Sequence, residues 1–129
     1  MKSNLPLRTI DANLNRFKEG IRVVEDILRY EYNSPLAKEL KEIRHIKIPD
    51  YDEIIKHRDS MNDILKPSTK DELKRDSIKD IIISNLKRAQ ESARVLEEIY
   101  KILDKNTSET FKNARYKLYN IEKEILTGI

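Results

Sequence analysis

The sequence predicts an all-α fold, and three observations carry that reading. Only two glycines and four prolines interrupt 129 residues, 38% of them charged, a composition that favours helices over strands. Apolar residues recur at spacings of three and four through the longest segments, the period of one helical face. The stretch NLNRFKEGIRVVEDI at 13–27 returns as NLKRAQESARVLEEI at 85–99, with Asn, Leu, Arg, Glu, Arg, Val, Glu and Ile identical at a shift of 72. That is an internal repeat of a helix.

From Ile10 to Tyr30 the stripe Ile10, Leu14, Phe17, Ile21, Val24, Leu28 predicts the first long helix. Ser34 and Pro35 supply an N-cap and a first-turn proline for a shorter helix carrying Leu36, Leu40 and Ile43, which Pro49 ends. The stretch from about Ile48 to Lys74 is the least regular, with Asp50 as cap of one short helix and Ser68 or Thr69 of the next. A long helix is predicted from roughly Asp76 to Leu103 on Ile82, Leu86, Ala89, Ala93, Leu96 and Tyr100. The last is capped by Asn106 or Thr107 and carries Phe111, Ala114, Leu118, Ile121 and Ile125.

The repeat extends into the shorter partners, since LKEIRH at 40–45 matches FKNARY at 111–116 after a one-residue slip. Each half is therefore an αα-hairpin, about 10–46 and about 76–127, joined by an irregular crossover over about 47–75. Two such hairpins, related by a pseudo-twofold, bury their stripes together as a helical bundle within one domain.

Polar residues stand in line with the core. At about 100° per residue from Asn13, Phe17, Ile21, Val24 and Leu28 of the first helix fall between roughly 20° and 80°. Val23, Ile27 and Tyr30 extend the apolar arc to about 260° to 320°, which encloses Asn13, Arg16 and Gly20. Asn85, Arg88 and Ser92 occupy the same places beside Val95, Ile99 and Ile102. Lys18, Arg22, Glu25 and Arg29 point away and read as solvated. Arg44 and Arg115, four residues after Leu40 and Phe111, share the apolar faces of the shorter helices. Four arginines are thus expected to point inward, and losing the partner of a buried charge costs on the order of 3 to 5 kcal/mol.

Two readings satisfy them. Either Glu19, Glu91, Asp26 and Glu98 pair with the arginines and fix helix register, or the arginines surround a cleft and hold a planar or phosphorylated anion with their forked donors. In the second reading Asn13 and Asn85 hydrogen-bond a base-like ligand, and Gly20 leaves room for it or for close helix packing. The segment HRDSMND adds Arg58, Asp59, Ser60 and Asp63. Paired aspartates beside an arginine suit a magnesium ion with a phosphate, and equally a capped turn.

Other chemistry is excluded on composition. There is no cysteine, and two histidines are too few for a zinc cluster. The net charge of +3 is interspersed, without the basic and aromatic platform of a nucleic-acid binder. No run approaches the roughly 20 apolar residues of a membrane span, and MKSNLPLRTI lacks the apolar centre of a leader. A cytoplasmic protein is expected.

In order along the chain, IDANLNRFKEGIRVVEDILRY, LKEIRH, HRDSMND, NLKRAQESARVLEEIYK and ARYKLYNIEKEI resemble the all-helical alternative hydroxymethylpyrimidine-phosphate kinase family of thiamine biosynthesis. That domain stands alone or is fused N-terminal to thiamine-phosphate synthase. The resemblance covers nearly the whole chain; its longest motifs are DANLNR, EGIRVVED and ESARVLEE. After the RDS and Asp63 element, where the family pattern tends to continue with glycine, this chain has Ile64 and Leu65. The resemblance implies transfer of the γ-phosphoryl group of ATP, with magnesium, to 4-amino-5-hydroxymethyl-2-methylpyrimidine phosphate. The product would pass to a separate thiamine-phosphate synthase. Within that reaction, helix geometry nominates Arg16, Arg88, Arg44 and Arg115 for phosphate charge. It gives Asn13, Asn85, Glu19 and Glu91 to substrate binding, while the irregular segment HRDSMND offers Arg58 to substrate binding and Asp59 and Asp63 to magnesium. The rival expectations are a non-catalytic module that binds a partner such as the synthase, and a structural homodimer paired through the repeated element.

Overall fold

The structure is a computed structural model describing residues 5–128, apart from the side chain of Asp71. Residues 1–4, part of the N-terminal stretch scanned for a leader, lie outside it. Six helices follow in order: α1 (Leu7–Tyr30), α2 (Leu36–Arg44), α3 (Tyr51–Ile55), α4 (Lys70–Leu73), α5 (Ile78–Tyr100) and α6 (Lys105–Gly128). Among the described residues there is no strand, and the fold is all-α as expected. Among the described residues no helix is long and apolar enough to cross a membrane.

The helix ends follow local chemistry. α1 starts earlier than its apolar stripe, the Pro6 carbonyl accepting from the Ile10 N–H at 3.1 Å. Ser34 Oγ accepts from the Leu36 N–H at 3.2 Å, opening α2. Thr69 Oγ1 accepts from the Glu72 N–H at α4. Ser77 caps α5 by accepting from the Asp80 N–H at 3.1 Å, while Asp80 reaches back to the Asp76 N–H, two donors satisfied as in a capping box. The expected caps Asn106 and Thr107 prove to be capped themselves. Asp104 accepts from the Asn106 N–H and from the Thr107 hydroxyl, because its carboxylate stands immediately before Lys105, where α6 and its free amides begin.

All three long stripes read from the sequence are buried. α1 packs on α5, α2 lies against α1, α6 against α5, and α2 and α6 barely touch. At the centre the Phe17 and Phe111 rings meet edge to face at 5.5 Å, and Tyr100 stacks on Phe111 at 6.0 Å. Gly20 is a point of close approach of α1 to α5: a Cβ there would sit 2.8 Å from the Asn85 carbonyl oxygen and 3.5 Å from Ala89 Cβ. A backbone oxygen cannot step aside as a side chain can. Gly20→Ala is therefore expected to destabilise by about 1 to 2 kcal/mol, the overpacking cost less the helix-propensity gain. Denaturant unfolding measures it.

The Tyr100 hydroxyl is buried without a hydrogen-bond partner among the described residues. Burial pushes its ionisation up to about 12, with the Asp104 and Asp50 carboxylates adding to the shift. The folded pKa lies above the unfolded value near 10, so the protonated form is favoured on folding. That stabilisation is present below pH 10 and lost as pH rises from about 10 to about 12. Tyr100→Phe is expected to flatten this alkaline loss and, by deleting an unpaired buried hydroxyl, to raise stability by about 1 kcal/mol at neutral pH. Unfolding curves collected across pH 8 to 11 test both points.

Candidate functional site

The outer side of α1 and the start of the crossover enclose an open cleft of about 500 Å³, within the range of small-molecule sites. Its lining gathers Arg8, Asp11, Asn13, Asn15, Arg16 and Glu19 from α1 with Arg58, Asp59, Ser60 and Asp63 from the crossover. Six residues nominated from sequence meet here: Asn13, Arg16, Glu19, Arg58, Asp59 and Asp63.

One ion pair holds the two sides together. Arg58 donates through Nε and Nη2 to the two carboxylate oxygens of Asp11, each at 2.8 Å. Asp11 is 3% exposed. This forked arrangement fixes orientation as well as charge, and Asp11, foremost, with Tyr51 raises the Arg58 pKa above its ordinary value. Arg8 adds a second tie, donating from Nη2 to the Asp59 carbonyl at 2.9 Å. The Asp59 carboxylate accepts from the Asn62 amide at 3.0 and 2.8 Å. That amide, helped by the Asn62 N–H and the Arg8 charge, holds Asp59 below its usual pKa. Asp63 Oδ1 accepts from the Leu65 N–H at 2.9 Å.

The cleft therefore carries three guanidinium groups and four carboxylates, Asp11, Glu19, Asp59 and Asp63. A balance near −1 suits a phosphate that arrives with a divalent cation better than a bare anion. Among the described residues no group of three or more acidic, His or Cys side chains stands ready to hold a metal. Magnesium bound with a nucleotide takes one or two protein carboxylates, the rest of its shell being phosphate and water. Asp59 and Asp63 fit that requirement. The groove of about 400 Å³ between α2 and α6 has Glu39, Glu42 and Lys117 around Ile43, Ala114 and Ile121, with no arginine.

Three sequence expectations are corrected. Arg16 and Arg88 do not point inward: both are exposed, because the arc they occupy is an open flank of α1 and α5, where Val23, Tyr30 and Val95 are 38%, 65% and 36% exposed, with Ile102 in the turn after α5 at 75%. Glu25, expected in solvent, is buried. It accepts from Arg44 Nε at 2.6 Å and Nη2 at 3.2 Å, since α2 covers the flank of α1 that a single-helix wheel leaves open. Nor do Glu19, Glu91, Asp26 or Glu98 pair with the inward arginines. Arg115 donates to Glu97 Oε1 from Nε and Nη2 at 3.2 and 2.9 Å, Asp26 lies beside Arg22, and Glu98 pairs with Arg94 and Lys101.

Arg44 and Arg115 thus lie outside the cleft, engaged by Glu25 and Glu97. The Glu25 hydrogen bond raises the Arg44 pKa; Arg115 is raised first by the Tyr119 hydroxyl and then by Glu97. Asn13 and Asn85 each give Nδ2 to the carbonyl four residues earlier, Thr9 and Ile81, at 2.9 and 2.8 Å. Only Asn13 lines the cleft. Glu91 lies in a separate depression with Lys87, Gln90, Arg94 and Tyr119. Sequence reasoning missed Arg8 and Asp11. Asp11 lies in the motif DANLNR, but its partner is 47 residues away in an irregular segment.

The profile of the ThiD2 family matches residues 8–124. The thiamine-phosphate synthase of Synechocystis sp. is 37% identical over 122 residues, covering 92% of this chain and 36% of that protein. Its namesake from Prochlorococcus marinus subsp. pastoris is 38% identical over 120 residues, 91% of this chain and 34% of the relative. That of Gloeobacter violaceus is 34% identical over 134 residues, with shares of 99% and 38%. The chain spans about a third of the length of the curated relatives it matches. No solved structure matches it.

Proposed function

Because the chain belongs to the ThiD2 family, we propose that it acts in thiamine biosynthesis as a kinase, phosphorylating 4-amino-5-hydroxymethyl-2-methylpyrimidine phosphate with ATP to give the pyrophosphate. The observation that carries this reading is the cleft, where Arg8, Arg16 and Arg58 stand against Asp59 and Asp63. In the reaction an oxygen of the acceptor phosphate forms a bond to the γ-phosphorus, the bond to the β,γ-bridging oxygen breaks, and ADP leaves. Two anions must approach, so the main task is neutralisation and alignment. Arg16 and Arg8 supply forked donors to the phosphate oxygens. Arg58, locked by Asp11, keeps the crossover carboxylates facing α1. Asp59 and Asp63 would hold magnesium, which when bound offsets phosphate charge. The Asn13 carboxamide oxygen, left free by its Nδ2 bond, accepts from an amino group of the pyrimidine. ADP formation that depends on both the pyrimidine phosphate and magnesium tests the reading; ADP formation indifferent to the acceptor would contradict it.

A second reading rests on the relatives. They are named thiamine-phosphate synthase, and this chain accounts for about a third of each. A non-catalytic module docked to a synthase fits that proportion, and acceptor-dependent turnover by the chain alone separates the two.

A further inference from the structure

We infer that two copies of this chain pair through the open face of α1 and α5. Glu25 and Glu97, which meet α2 and α6 through Arg44 and Arg115, both lie about 120° around their helices from Asn13 and Asn85. The stripe at about 260° to 320° is on the opposite side. Gly20 against Asn85 and Ala89 sets α1 and α5 side by side, so the two stripes form one surface with α2 and α6 behind it.

That surface is apolar and uncovered. Val23, Tyr30, Val95 and Ile102 are exposed, and Ile27 and Ile99 are half-buried beside them. Four charges accompany them: Arg16 and Glu19 on α1, Arg88 and Glu91 on α5. All four are exposed, and none has a hydrogen bond or ion pair among the described residues, whereas Glu25, Arg44, Glu97 and Arg115 are all paired.

Charge complementarity selects a second copy as the occupant. On both helices an arginine precedes a glutamate by three residues. Where α5 meets the α5 of a second copy antiparallel, in the register that sets Arg88 opposite the second copy's Glu91, a twofold axis sets Glu91 opposite the second copy's Arg88 as well. The face has no net charge, so a strongly basic or acidic partner gains nothing from it. The apolar residues on either side of the charges give the pair surface to bury. Arg16 and Glu19 also line the cleft, which opens beside this face.

The inference stands apart from the proposed phosphoryl transfer, since the residues tested lie outside the cleft. Sedimentation equilibrium over about 1 to 100 μM should give about twice 15.3 kDa at the upper end. Val95→Glu, at an exposed position on α5, and Ile102→Glu, at an exposed position in the turn that follows it, should each raise the dissociation constant at least about tenfold. Arg88→Glu should weaken pairing and reduce its sensitivity to salt. Thr110→Glu, on α6, should leave it unchanged. Circular dichroism confirms folding of each variant. A wild type that stays at monomer mass, or an assembly that yields to Thr110→Glu and not to Val95→Glu, would overturn the inference.

Discussion

Arg16→Ala is expected to lower phosphoryl transfer by about 100-fold or more while leaving the helices intact. Within the protomer Arg16 has no hydrogen bond or ion pair among the described residues, so its removal leaves no buried partner uncompensated. Its place on the cleft wall with Asp59 and Asp63 makes it the guanidinium with the most capacity to spare for a phosphate. Arg58 is already bound to Asp11 and Arg8 to the Asp59 carbonyl. Removing one cation that meets developing charge typically costs factors of 10² to 10³. The comparison is made at matched oligomeric mass by ADP formation, with thermal unfolding as the control. Turnover within about threefold of wild type would remove Arg16 from the site.

Glu97→Gln has the largest expected effect on stability, about 3 kcal/mol. Glu97 is 4% exposed, accepts twice from Arg115 and lies 3.0 Å from Arg94. The amide keeps the shape and loses the charge, so the 13%-exposed Arg115 side chain is left without a counter-ion in a poorly hydrated setting. Breaking a buried pair on one side costs roughly 3 to 5 kcal/mol, and the partial solvent access of Arg115 puts this case at the lower end. For a chain of this size that is a fall in Tm of roughly 10 °C. Glu25→Gln, acting on Arg44, should fall in the same range. Equal effects would show that the repeated pairs carry similar weight; a loss under about 0.5 kcal/mol in both would mean the pairs are solvated ornaments of the helix surface.

The long helices were legible because every residue of their stripes obeys one period, and burial of that period against a neighbour is what forms them. Polar placement was harder. A wheel shows where the densest apolar arc lies but not which flank a second helix covers, so it puts Glu25 in solvent when α2 buries it. The repeat held the missing clue: Glu25 and Glu97 are identical at the shift of 72, and Arg44 and Arg115 occupy matching places in LKEIRH and FKNARY. Both members of each pair recur. Arg16 and Arg88 recur just as faithfully and stand in the open, so recurrence by itself does not separate a buried tie from a surface charge. Half of the cleft was readable, from HRDSMND and the start of NLNR. Asp11 was not, since its burial depends on an irregular crossover folding back across 47 residues.

The most direct test of the account is the product formed by the chain alone from ATP, magnesium and 4-amino-5-hydroxymethyl-2-methylpyrimidine phosphate, read by phosphorus NMR. The cleft predicts that the single phosphate resonance of the acceptor gives way to the coupled pair of a diphosphate ester, with ADP appearing in equal amount. An acceptor signal unchanged after prolonged incubation with folded protein would contradict it and leave the partner-binding module as the reading that stands.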